Sequence, residues 1–461
     1  MSNLFGYIER KPLHVVFVLF VFHIVIAFLI SWISYSSYLS PLHTGDGFWK
    51  FAIDSTLYHQ EALTLIDVLD RGEWSFWWSS YARHMHVKWI ALIYWSYGEA
   101  YPVLFEIVNS FVWVASVVLI YKASYHLFSK NVTIASFSTL FLFFPSLLLS
   151  SVQLLREPFY ILGVCFTILG WVFIVKKDSS WLGAGLIIFG FFVIISARDY
   201  LTPLIFSIFF ICGIGAIITN RVARLPMFLM MVSIYAIASF ESSPLNMRGN
   251  GYVSKVDGVG NFGAISRVIS GYDTDTDTDT DTDTDTDEAH LSNRVRNYIN
   301  INIPGRLSSM RHGFRNVTAT AGSSIDVDER FNNVEDLILY LPRALQIGFL
   351  SPFPKHWIAS GKETGRIGRI ISGFETMILY FAFIGFFWLL YKNIKIGVSL
   401  VPILVLGGII ILLLGYAVPN VGTIYRMRQG LLIPYYMLGT YGLYLLFIDL
   451  KLYLVKKSLS V

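Results

Sequence analysis

The stretch RKPLHVVFVLFVFHIVIAFLISWI, residues 10–33, decides the class of fold. After Arg10 and Lys11 it runs for 22 residues without an Asp, Glu, Lys or Arg. About 20 apolar residues of helix suffice to cross a ~30 Å hydrocarbon layer. The run is too long for the apolar centre of a signal peptide and no small-residue cleavage site follows it, which predicts a retained first span.

The same signal recurs along the chain. Of its 461 residues 55% are hydrophobic and only 14% are charged, and the mean hydropathy is +0.58, values outside the range of soluble globular proteins. Apolar runs at 12–34, 101–121, 132–152, 158–175, 181–197, 201–219, 225–240, 372–391, 396–417 and 430–449 bring the expected number of spans to about ten. These runs are continuous, without the alternation of barrel strands, so the expected fold is an all-α polytopic membrane protein. Cys165 and Cys212 fall in different runs, which argues against a disulfide framework.

If the spans alternate, the basic clusters Arg10/Lys11, Lys122/Lys130, Lys176/Lys177, Arg221/Arg224, Lys392/Lys395 and Lys451/Lys456/Lys457 all share one side. The positive-inside rule makes that side cytoplasmic, together with both termini. Two long connections, 35–100 and 241–371, then lie on the outer face, where extramembrane chemistry is expected. The chain divides accordingly into an N-terminal transmembrane module (1–240, containing the first outer loop), an outer-face loop (241–371) and a C-terminal three-helix module (372–461).

Within the second loop, residues 273–287 alternate Asp and Thr. This low-complexity, highly charged tract has no apolar residues for a core and is expected to be disordered. It also lacks the turn glycine and mixed oxygen ligands of a dedicated Ca²⁺ loop. Nine of the 31 acidic residues lie in 273–288, leaving 22 against 35 Lys and Arg in the rest of the chain; that excess suits contact with anionic lipid or plain membrane anchoring. Farther on, 337–354 is apolar but interrupted by Pro342 and ended by Pro352 and Pro354, a pattern expected for a re-entrant or surface-lying segment. Lys362, Arg366 and Arg369 follow just before the next span.

The first outer loop carries the most chemistry. Asp54, Tyr58, Ala62, Leu65 and Leu69 recur at spacings of four, four, three and four, one face of a helix. The segment is too polar to span and is expected to lie along the membrane surface, with Asp54 at its start as an N-cap, a catalytic carboxylate or both. His84 and His86 in YARHMHVKW lack a third ligand, and Arg83 and Lys88 flank them, which disfavours a metal; they read as acceptor or phosphate contacts, or as part of an interfacial helix. Arg156 beside Glu157 and Arg198 beside Asp199 stand at span ends, as phosphate ligands or as interfacial anchors. Arg426 and Arg428, in YRMR between two apolar runs, fall on the side that basic residues avoid and read as phosphate or glycan contacts. No Walker loop, G-x-S-x-G, H-E-x-x-H or Cys pair at metal spacing occurs, and nothing points to nucleic acid.

Taken in order, DSTLYHQEALTLIDVLDRGEW (54–74), WIALIYWSYGEAYPVLFEIVNS (89–110) and PSLLLSSVQLLREPFYIL (145–162) resemble the polytopic glycosyltransferases of the GT-C fold, among them the protein mannosyltransferase and aminoarabinose transferase relatives. The likeness covers about the first 200 residues; FLSPFP (349–354) and VPNVGTIYRMRQ (418–429) are similar only in general pattern. The resemblance implies a bacterial inner-membrane enzyme of cell-envelope polysaccharide biosynthesis, moving a sugar from a polyprenyl phosphate to a glycan or lipid acceptor on the outer face. Asp54 would be its base, or Asp46 in TGDGF, with Tyr58, His84, His86, Arg156, Glu157, Arg198, Arg426 and Arg428 as substrate contacts. The acidic residue that usually follows the motif Asp is Ser55 here, which puts a second-acid or metal role in doubt and leaves a divalent cation open. The competing expectations are a polysaccharide polymerase or ligase acting on lipid-linked oligosaccharide, and a transporter or flippase of such lipids. A transporter calls for mid-helix charges and internal repeats, and the sequence shows neither clearly.

Overall fold

The computed structural model describes residues 12–79, 85–198, 201–219, 224–242, 298–317, 322–358 and 365–459. The Asp-Thr tract and His84 lie outside them. The described elements are helical throughout, with no strand among them: α1 Pro12–Ser34, α2 Asp54–Asp70, α3 Trp74–Ser79, α4 Met85–Tyr97, α5 Pro102–Leu127, α6 Val132–Thr139, α7 Pro145–Ser151, α8 Glu157–Lys176, α9 Ser180–Ala197, α10 Thr202–Thr219, α11 Arg224–Ser242, α12 Ile303–Val317, α13 Val334–Leu350, α14 Gly365–Lys392, α15 Ile394–Gly397, α16 Val401–Ala417 and α17 Val421–Leu459.

All ten expected spans are helical, but they are not equivalent. Six helices (α1, α5, α8, α9, α14 and α17) are long and apolar enough to cross a membrane. A seventh candidate is the pair formed by residues 132–143 and α7, bent by 65° at a short break. Pro145 stands at the first position of α7, where its missing N–H costs nothing to the new helix but ends the old one. The apolar parts of α10, α11 and α16 are shorter than a full crossing. Large apolar side chains stay exposed along these helices, among them Phe17, Trp32, Phe189, Ile211, Phe381 and Phe387, which is stable only in an apolar solvent. The chain is a multi-pass membrane protein, all-helical in its described residues.

The residues cluster into two compact units. One contains 1–252, 357–407 and 429–461; the other contains 253–356 and 408–428. In the first, α8 and α9 form an antiparallel hairpin whose seam is glycine. A methyl group added at Gly170 would stand 2.6 Å from the Gly183 carbonyl oxygen, and the reverse holds for Gly183. One heptad away, Gly163 and Gly190 repeat the arrangement at 2.8 and 2.7 Å. In lipid no hydrophobic effect drives helices together, so such close backbone approach supplies the packing. The seam fixes the register and brings the start of α8 beside the end of α9. The α14–α17 pair is built likewise: a methyl at Gly385 would collide with the Gly439 carbonyl oxygen.

The first long loop is not a connector. Tyr58, Ala62, Leu65, Val68 and Leu69 of α2 join Val87, Ile90, Ala91 and Tyr94 of α4, with Phe105, Leu154 and Leu155, in one buried cluster. The face that periodicity assigned to the membrane surface is therefore covered by protein. Each large apolar side chain buried this way contributes about 1.5–3 kcal/mol, enough to hold the loop as a folded cap on the neighbouring spans.

In the second unit, Asn333 caps α13 by accepting from the Asp336 N–H at 2.9 Å. The helix continues through Pro342, contrary to the expected interruption. Proline removes one N–H and leaves the carbonyl four residues back, that of Ile338, without its helical donor; Ile338 is exposed, so the break is tolerated. Arg311, fully buried, donates to the carbonyl oxygens of Tyr416 at 2.7 Å and Asp326 at 2.5 Å. Tyr340 and Arg343 in turn donate to the Asp326 carboxylate. Burial alone would raise that carboxyl, but these two donors and the Arg343 and Arg311 charges hold it below its ordinary range. Asp326 thus ties α12 to this loop through its main-chain carbonyl and α13 through its carboxylate.

Candidate functional site

Five of the residues singled out in the sequence converge within the first unit. Tyr58, projecting from the buried face of α2, meets the His86 ring edge-on at 4.7 Å. His86 lies within electrostatic reach of Arg156 and Glu157. Glu157 opens α8, and its carboxylate pairs with Arg198 at 3.8 Å, both side chains almost fully enclosed. The Arg198 guanidinium also stacks over the Tyr160 ring at 4.2 Å. Four separate segments therefore deliver one tyrosine, one histidine, two arginines and one glutamate to the same place.

The cause of this convergence is the glycine seam described above, which sets Glu157 and Arg198 at the same end of the α8–α9 hairpin. Arg156 and Arg198 are 8% and 2% exposed, so neither is the snorkelling interfacial anchor that adjacent charges at a span end suggested. Two guanidiniums and one carboxylate are thus enclosed together in a medium of low dielectric, where charge acts strongly on its surroundings. His86 complements this. Burial first, and then the Arg156 cation, hold its imidazole down at about 3, against smaller upward pulls from Glu157 and the Leu154 backbone. It is therefore uncharged at physiological pH.

The two candidate bases belong to α2 and the loop before it, Asp54 one helical turn ahead of Tyr58. Asp54 is the first residue of α2, and the N-cap position is Ile53 without a side-chain cap. The N-cap reading is therefore corrected to a first-turn acid, which the helix dipole favours. Asp46 is exposed in the preceding loop, where the Thr44 hydroxyl donates to it. Its charge acts on Tyr35 and His59.

Arg426 and Arg428 belong to the second unit. Arg428 is buried and its two terminal nitrogens donate to the carbonyl oxygens of Gly348 and Ser351. Two of its nitrogens are thus committed to backbone at the end of α13, while Arg426 is half-buried on α17. Arg428→Leu would leave both carbonyls without that donor, a cost of roughly 1–3 kcal/mol each. The expected result is a lower melting temperature and faster proteolytic cleavage near residues 348–356; unchanged cleavage would mean the clamp is not what holds this segment.

Sequence reasoning missed three polar groupings inside apolar runs. Glu106, buried in α5, accepts from the Asn109 amide at 3.0 Å, and Asn109 also donates to the Gln153 carbonyl at 2.9 Å. Glu375, buried in α14, accepts from the Ser146 N–H at 2.8 Å and its hydroxyl at 2.5 Å, while Gln429 donates to Ser146 at 2.6 Å. His23 of α1 bridges the Ser110 and Ser151 hydroxyls at 2.9 and 2.7 Å. The signal was present, since a lone carboxylate in a span is costly and calls for a reason. Glu106 and Glu375 also supply the buried helical carboxyl groups that the sequence reading did not see. Both cysteines are free, and among the described residues no group of three or more His, Cys, Asp or Glu could hold a metal ion. No family model matches the chain, and comparison with curated proteins returns no match.

Proposed function

We propose that this protein is a GT-C-like membrane glycosyltransferase that moves a sugar from a polyprenyl phosphate to a glycan or lipid acceptor in cell-envelope polysaccharide biosynthesis. The observation that carries this reading is the enclosed Arg156–Glu157–Arg198 group with Tyr58 and His86 against it. A polyprenyl phosphate leaves as an anion, and preorganised guanidiniums aimed at that developing charge are the main catalytic requirement of such a transfer. An oxygen–carbon bond forms at the anomeric carbon, the carbon–phosphate-oxygen bond breaks with its electron pair leaving on the phosphate, and the acceptor hydroxyl gives its proton to a base. The first long loop supplies the candidates for that base, Asp54 and Asp46 in the sequence reading.

In this reading the chain crosses a bacterial inner membrane about ten times, with both termini cytoplasmic and the site on the outer face, as the charge rule suggests. A transporter of lipid-linked glycan is the second reading, and the burial of Glu106 and Glu375 within helices favours it.

Purified protein reconstituted with a labelled polyprenyl-phosphate sugar and membrane acceptors separates these readings. Transfer of label to acceptor is expected. Joining of lipid-linked oligosaccharides without monosaccharide transfer would make the protein a polymerase or ligase. Movement of labelled lipid between leaflets without any transfer would make it a transporter.

A further inference from the structure

The first long loop holds a second group of titratable side chains that the phosphate-binding cluster does not use. His59, half-buried on α2, has its Nδ1 at 3.1 Å from the Tyr94 hydroxyl on α4. The imidazole packs against the Phe48 ring at 5.1 Å and crosses the Tyr94 ring at a steep angle. Tyr94 is fully enclosed, so its hydroxyl is a fixed point, whereas the imidazole keeps part of its surface open. A half-exposed imidazole anchored through one nitrogen by a buried hydroxyl is the arrangement that proton-transfer histidines require: one ring nitrogen oriented, the other presented.

Charged groups surround the pair. Glu106, on α5, lies close enough to act electrostatically on Tyr94. In the tautomer that a base requires here, Nδ1 donates to the Tyr94 oxygen and Nε2 holds the lone pair. Asp46, in the loop before α2, adds a negative charge that favours the protonated ring after transfer. Tyr35, which also feels Asp46, acts on Tyr94 as well.

We propose that His59, oriented by Tyr94, is the general base of the transfer reaction, in place of Asp54 or Asp46. This rests on the glycosyltransferase reading. His59 Nε2 takes the proton of the acceptor hydroxyl while its oxygen bonds to the anomeric carbon and the phosphate departs with the bonding electrons. The imidazolium then returns the proton to solvent. Tyr94 is a positioning residue: it holds the ring and does not touch the substrate.

The test is the pH profile of sugar transfer by the full-length protein from a polyprenyl-phosphate sugar to membrane acceptor. Burial lowers His59, and the Asp46 charge partly restores it. Because the base must be neutral, wild-type activity should rise with pH through a midpoint below about 6.5, the ordinary imidazole value. His59→Gln should lower kcat by about 10²–10⁴-fold, the usual contribution of such a group, with KM for the donor unchanged and the acid limb gone. Asp46→Asn removes the charge that raises the imidazole, so its acid limb should move to lower pH. Tyr94→Phe should lower kcat and displace the limb, which a packing role alone would not do. Wild-type-like kcat and limb in His59→Gln, in a preparation where wild type transfers sugar, overturn this assignment and leave the glycosyltransferase reading standing. Loss of turnover at every pH in Asp46→Asn gives the role to Asp46 and also overturns it. A wild type that transfers no sugar from any donor overturns the enzyme reading and this assignment with it.

Discussion

Arg198→Gln is expected to lower sugar transfer by more than about 10²-fold, the usual loss when one preorganised donor to developing charge is removed. It should destabilise the fold as well. Arg198 and Glu157 are both enclosed, and taking one partner from a buried pair costs about 3–5 kcal/mol because the other charge remains in a poor solvent. The two effects can be parted by adding Glu157→Gln. The double variant buries two neutral amides, so its melting temperature in detergent should recover most of the loss, while transfer stays low because the cation is still missing. Recovery of transfer together with stability would make the pair a structural strut and would remove the main support for phosphate binding at this place.

Gly183→Leu should have a comparable effect through geometry alone. A methyl at this position already meets the Gly170 carbonyl oxygen at 2.6 Å, and backbone cannot rotate out of the way as a side chain can. Overpacking in a well-filled core costs about 1–3 kcal/mol, and here the seam of α8 and α9 must open along its length. The expected result is a lower melting temperature together with at least a tenfold loss of transfer, since Glu157 and Arg198 are carried by these two helices. Gly185→Ala is the matched control: nothing lies within 4 Å of a methyl there, and alanine is the better helix former. Equal damage from both substitutions would mean that general helix perturbation, and not the seam, explains the first.

Much of the architecture was legible in the sequence. The apolar runs are helices where they were expected, and the spacing of Tyr58, Ala62, Leu65 and Leu69 named the buried face of α2. What the pattern left open was the partner of that face. An amphipathic stripe fits a bilayer surface as well as a protein core, and only the position of α4, Phe105 and Leu154 decides between them. The same holds for Arg156 and Arg198. Their neighbours in sequence, Glu157 and Asp199, suggested local charge pairs, and the structure adds a pair across helices, Arg198 with Glu157 of the preceding helix. His59 attracted no attention because its partner Tyr94 is 35 positions away, and a single histidine on a polar helix is ordinary.

The sequence by itself determined that the chain lives in a membrane, which segments are helical and which loop carries the polar aromatic residues. Hydropathy and periodicity are properties of neighbouring residues, and hydrocarbon permits almost nothing but helix. The tertiary structure alone decided which polar groups meet: Glu157 with Arg198, Glu106 with Asn109 and Gln153, and His59 with Tyr94. Those meetings follow from how helices pair and in what register, and here the register of α8 on α9 is set by glycine backbones in contact. Hydropathy measures what a side chain prefers as solvent, and glycine has no side chain with which to state a preference.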